Sequence, residues 1–121
     1  MTLRPGKRRL QVEHLGDLTI VKFRRREILD VGMIEDIGNE LFQLVQQERR
    51  RRLLINLRNV DRLSTALIGK FVATQRLAEG ASGQVAFCGL GAGIREVFEL
   101  LKLTDRFRIF ENEQQGLEGL A

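Results

Sequence analysis

The chain has 121 residues, 43% hydrophobic and 30% charged, with a formal net charge of +4. That size and balance exclude a disordered chain and predict a single folded domain over residues 1–121, with residues 1–10 as a basic, flexible N-terminal segment. No apolar run approaches the roughly 20 residues that cross a bilayer, and the single Cys excludes an internal disulfide, so a cytoplasmic setting is expected.

In chain order, "LQVEHL" alternates and "LTIVKF" (Leu18–Phe23) is rich in β-branched residues, so the two are expected to pair across a turn at Gly16-Asp17. Asp30 is placed to cap a helix in which Ile34, Ile37, Leu41, Leu44 and Val45 recur at helical spacing. That helix is expected to run into "ERRRR", where cations suit the negative end of its dipole. "RLLINL" (Arg52–Leu57) is almost wholly apolar, as a strand covered on both faces should be.

From Ser64 onward Leu67, Ile68, Phe71, Val72 and Ala78 share one side, predicting a second helix stopped by Gly80. "QVAFCGL" reads as another buried strand. Ile94, Val97, Phe98 and Leu101 give a third apolar helical stripe, "FRIF" a last short strand, and "NEQQGLEGLA" a terminal helical turn or two. The order β-β-α-β-α-β-α-β-α calls for parallel neighbours joined by right-handed crossovers. Ile55, Leu57, Phe71, Val85, Phe87, Val97 and Phe98 are the expected core.

Three stretches invite a chemical reading. Ser64 and Thr65 stand where the third strand hands over to a helix, the position of an N-cap. The same position suits a phosphate, because free N–H groups and the dipole favour an anion there. Gly69 and Ala73 fall one and two turns beyond Thr65, which keeps the approach flat, and Arg58, Asp61 and Arg62 occupy the loop before it.

"GLGAGIRE" (Gly89–Glu96) follows a strand and opens a helix, but Ile94 stands where a dinucleotide loop needs its third glycine, so no nucleotide cofactor is expected. The arginine runs at 24–26 and 49–52 read first as solvated faces, with nucleic-acid binding as the alternative. Cys88 sits in an apolar strand and reads as an inert thiol. His14 has no evident partner in the sequence. With no nucleophile–base set, metal-ligand cluster or phosphate loop, neither catalysis nor a metal is expected.

The chain resembles the STAS family, the anti-sigma factor antagonist domain, from "LTIVKF" to the terminal helix. Two segments carry the resemblance: "LLINLRNVDRLSTALIGKF" is similar to the family's strand–loop–helix signature, and "GQVAFCGLGAGIREVFELLKLTDRFRIFENEQQGL" to its next strand, helix, final strand and acidic turn. The resemblance implies an α/β fold, a small, mixed, mostly parallel sheet with helices mainly on one side. It implies a regulatory protein-binding role, docking a serine/threonine kinase-like anti-sigma factor or a larger signalling assembly.

By the same resemblance Thr65, or failing that Ser64, is the phosphoacceptor. Arg58, Asp61, Arg62, Ser64, Thr65, Ala66, Gly69 and Ala73 form the docking face. The chain departs from the signature at Asn56 and Ser64, where acids are usual, and at Leu67, where the family has its first glycine. An accessory subunit of a lipid-transport ATPase is the alternative within the family, and self-association is left open.

Overall fold

The computed structural model describes residues 9–120. Its strands are β1 (Leu10–Leu15), β2 (Leu18–Phe23), β3 (Glu27–Ile28), β4 (Arg52–Asn56), β5 (Arg62–Leu63), β6 (Gln84–Cys88) and β7 (Arg108–Phe110). The helices are α1 (Val31–Gln46), α2 (Thr65–Gly80), α3 (Ala92–Leu100) and α4 (Glu113–Leu120). The main sheet runs β1-β2-β4-β6-β7, with β1 antiparallel to β2 and every other pair parallel. This is the mixed, mostly parallel sheet expected from the sequence.

Period-2 alternation divides the central strands between two cores. Val21, Phe23, Leu53, Ile55, Val85 and Phe87 pack with α1, α2 and α3 in the larger cluster. Ile20, Leu54, Ala86 and Cys88 face the other way, onto Leu117 and Leu120 of α4. Three helices therefore cover one face and one short helix the other. The larger core is threaded by a chain of rings, with Phe71 at 5.2 Å from Phe87 and Phe87 at 4.5 Å from Phe107. Offset and tilted ring pairs of this kind stabilise beyond the area they bury.

The hairpin closes where expected, pairing Leu15 with Leu18 across Gly16, whose φ is +61°. Of the expected core residues Ile55, Leu57, Phe71, Val85, Phe87 and Phe98 are buried, while Val97 is only half-buried. Val72 is half-buried and Leu101 is 47% exposed, because α3 ends at Leu100 and Leu101 already belongs to the turn. The stripe read from the sequence ran one residue too far.

Helix ends differ from expectation in a consistent way. α1 stops at Gln46, and no basic residue lies in its last turn; the arginines come after it, with Arg49 at φ 55° turning the chain toward β4. α2 does end at Gly80, but that glycine is not the residue that turns the chain. Ser82 takes the left-handed φ of 62°, its N–H donates to Glu79 O at 3.0 Å and Gly83 N–H donates to Ala78 O at 2.7 Å, the paired bonds of a Schellman ending.

Within the run 49–52, Arg50 donates to Thr19 Oγ1 (2.6 Å), Gly16 O (2.6 Å) and Leu18 O (3.1 Å), tying the α1–β4 connection to the hairpin. Arg52 bonds the Leu120 carbonyl and lies 3.1 Å from Asp17. These two arginines are structural ties, not parts of a solvated face. His14 is also partnered, with Nδ1 at 3.1 Å from Thr19 Oγ1 and Nε2 at 3.8 Å from Glu48. At the chain's start, Arg9 N–H donates to Glu40 at 2.8 Å and Leu10 is buried, so this end of the basic segment is held against α1. Residues 1–8 of that segment lie outside the described residues.

Candidate functional site

The sequence missed two short strands, and they build the site. β3 and β5 pair in parallel, Glu27 with Arg62 and Ile28 with Leu63, as a ribbon beyond the carboxyl ends of β2 and β4. Asp61 N–H donates to Arg26 O at 2.7 Å, and Ser64 N–H to Ile28 O at 3.0 Å. The loop after β2 and the loop after β4 thus run side by side and deliver α1 and α2 together.

Ser64 is the N-cap of α2: its backbone is extended and its Oγ accepts from Ala66 N–H at 3.1 Å. Thr65 is the first helical residue, exposed, and its hydroxyl makes no hydrogen bond among the described residues. The two adjacent hydroxyls therefore divide their roles, one serving the helix and the other open to solvent. Leu67, where the family has glycine, is fully buried and anchors the first turn of α2 in the core.

The expected docking residues come together only in part. Ala66, Gly69 and Ala73 line an apolar groove of about 370 Å³ between α1 and α2. Arg62 pairs with Glu27 at 3.2 Å, and Asp61 with Arg26 at 2.8 Å, both along the ribbon. Arg58 lies apart from the groove, beside Gly89, where an added Cβ would stand 3.1 Å from Arg58 Cβ. Gly89 holds φ +73°, so glycine is doubly required there, by conformation and by close approach.

The far wall of the groove belongs to α1, which sequence reasoning left out. Val31, Ile34, Glu35 and Phe42 line it, and Lys70 crosses from α2 to meet Glu35 at 2.8 Å. The signal was present in Val31 and Phe42, apolar residues off the main stripe of α1. Val31 is 75% exposed. Nothing in the sequence paired that helix with α2.

Asn56, at a position where the family often has an acid, donates from Nδ2 to Glu113 Oε2 at 2.7 Å and accepts from Arg58 N–H at 2.9 Å. Lys22 Nζ lies 3.3 Å from the same carboxylate. A carboxylate is thus supplied next to this strand end from α4. Cys88, buried beside this cluster, has its thiol pushed up from 9.0 to about 11, chiefly by burial, with Glu113 adding to the shift and Lys22 opposing it. A neutral, enclosed thiol is a poor nucleophile.

Gly91 caps α3 without a side-chain bond, and Ile94 is buried in the core, so the side chain at the third-glycine position serves packing. Among the described residues no three His, Cys, Asp or Glu side chains come together as a metal site, and no helix is long and apolar enough to cross a membrane.

Residues 9–116 match the family model described as the STAS domain, and the chain belongs to that family. Solved structures share its fold. An anti-sigma-factor antagonist (STAS) domain protein from Planctomyces limnophilus superposes with a TM-score of 0.82 at 19% identity, over 93% of this chain and 97% of that one. An anti-sigma factor antagonist from Mycobacterium paratuberculosis gives 0.80 at 19% identity, over 92% of each chain. The Bacillus cell fate determinant SpoIIAA, in its phosphorylated form, gives 0.73 at 14% identity, over 93% of this chain and 99% of that one.

Proposed function

We propose that this STAS domain is a regulator of the anti-sigma factor antagonist kind. It docks a serine/threonine kinase-like anti-sigma factor, or a signalling assembly containing one, in the cytoplasm of a bacterium, and acts on transcription through that partner. Thr65 is the phosphoacceptor and the first half of α2 with its preceding loop is the docking face. The domain is the substrate of the partner's catalytic groups and performs no chemistry of its own.

The observation that carries this reading is the division of labour at the start of α2. Ser64 makes the cap, which leaves the Thr65 hydroxyl exposed and without a hydrogen bond. A phosphate there adds about 1.5–2 negative charges at the positive end of the α2 dipole, so the fold tolerates it. The same charge and bulk, set at the mouth of an apolar groove, oppose a partner that must desolvate that surface.

Mass spectrometry of the protein isolated from its own cells tests both halves. A kinase-like protein in the complex and a phosphate on Thr65 are expected. Modification elsewhere, with no such partner, counts against the reading.

A further inference from the structure

The cations at the carboxyl edge of the sheet are not equivalent. Arg26 and Arg62 are taken up by Asp61 and Glu27 along the ribbon. Arg24, Arg25 and Arg58 are exposed, and among the described residues their side chains make no ion pair. Lys22 and Asn56 are the last paired residues of β2 and β4, and Arg24 and Arg58 follow two residues later, in the loops that leave these neighbouring strands. Three guanidinium groups without an ion pair among the described residues thus stand in the loops at the carboxyl edge of the sheet, before β3 and β5.

The other end of the ribbon opens onto apolar surface. Leu29 is 44% exposed and Val31 75%, and Val31, Ile34, Phe42, Ala66, Gly69 and Ala73 line the groove. From Arg25 to Val31 is at most about 20 Å of chain. A helix of roughly 13 residues covers that length.

Resting on the docking reading above, we infer that this surface takes an acidic amphipathic segment of a partner protein. Its apolar side chains fill the α1–α2 groove and its carboxylates meet Arg24, Arg25 and Arg58.

Charge complementarity selects this occupant, and composition argues against a nucleic acid. Single-stranded nucleic acid needs exposed rings for stacking. This chain has no Trp or Tyr, and of its seven Phe residues five are buried, while Phe42 and Phe110 are half-buried and none is fully exposed. In the acidic complex the arginine rim steers encounter and sets the salt dependence, while the groove sets the lifetime.

The test uses a fluorescein-labelled 13-residue helical peptide with a leucine stripe flanked by Glu, and a twin with every Glu replaced by Lys. At low salt the Glu peptide is expected to bind at least ten-fold more tightly than its twin. Its amide shifts should map to residues near Arg58, Val31, Ala66 and Gly69. The triple variant Arg24→Glu/Arg25→Glu/Arg58→Glu should abolish the preference, and Val31→Asp should weaken binding while keeping it. Should the triple variant fail to fold, Arg24→Ala/Arg25→Ala is read instead, with a several-fold loss expected.

Equal affinity for the two peptides, or shifts on another face, overturns the inference. So does tighter binding of a 20-nucleotide single strand that is lost in the same variants. Because no kinase is present, this result is independent of whether Thr65 is phosphorylated or a kinase docks.

Discussion

The aliphatic stem of Lys70 on α2 rests on the bare backbone of Gly38 on α1, so closely that an added Cβ at residue 38 would stand 2.6 Å from Lys70 Cδ and 3.0 Å from Cε. The contact lets the ammonium reach Glu35 at 2.8 Å and lie 6.0 Å from the centre of the Phe42 ring. Lys70 is thereby laid along the groove, and its approach to α1 depends on a glycine in that helix.

Gly38→Ala should accordingly dislodge Lys70. In a helix interior Gly→Ala by itself stabilises by roughly 0.5–1 kcal/mol, and the opposing cost is that of swinging the flexible Lys70 stem aside and losing its exposed pair with Glu35, about 1 kcal/mol or less. The net expectation is a change near zero. In a Lys70→Ala background the same change should become stabilising. Urea denaturation of the four proteins of this cycle reads the coupling, and strict additivity would show that Lys70 moves aside without cost.

The cap assignment separates the neighbouring hydroxyls. Ser64→Ala should cost about 0.5–2 kcal/mol, because Ala66 N–H loses its acceptor. Thr65→Ala should be within about 0.5 kcal/mol of the parent, as exposed changes away from caps and cores usually are. Thermal melts of both variants check this. A larger loss at Thr65 would mean that the threonine carries a structural role.

How much of this was legible beforehand depended on range. Ile55, Leu57, Val85 and Phe87 announce their burial through apolar runs and Phe71 and Phe98 through helical spacing, and the parallel pairing follows from strands alternating with helices, whereas the strand order does not. Asp30 and Ser64 were readable as caps because capping is decided within three residues. The β3–β5 ribbon was not readable, since two-residue strands carry no period and their pairing joins residues 35 apart in sequence. For the same reason the α1 wall of the groove escaped. Gly38 carries no signal in the sequence, because its role, to seat Lys70, exists only once the helices cross. Ser82 and Lys102 take positive φ just after α2 and α3 without being glycine, so the residues that turn the chain there carry no sequence signal.

Cys88 provides a pH-dependent check on the sheet's second core. Its thiol is raised from 9.0 to about 11, mainly by burial, so the native state favours the neutral form. The unfolded chain ionises first; this contribution is therefore fully present below pH 9 and is lost as the pH rises toward 11. The stability difference between the parent and Cys88→Ala should shrink between pH 8 and pH 10.5, read from urea midpoints after correction for other titrating groups common to both. Folded protein should also resist thiol reagents at pH 8. Rapid labelling without unfolding would show the thiol to be accessible.

The most direct measurement is the affinity of the co-purified kinase-like partner for four forms of the protein: parent, Thr65→Ala, Thr65→Glu and Ser64→Ala, each first shown to be folded by its melt. Parent, Thr65→Ala and Ser64→Ala are expected to bind alike, because none adds charge at the mouth of the groove. Thr65→Glu is expected to lose binding by at least a hundred-fold, while an exposed helix N-terminus accepts the carboxylate without loss of stability. If Thr65→Glu and Thr65→Ala bind the partner with equal affinity, Thr65 is not a switch and the proposed regulation is wrong.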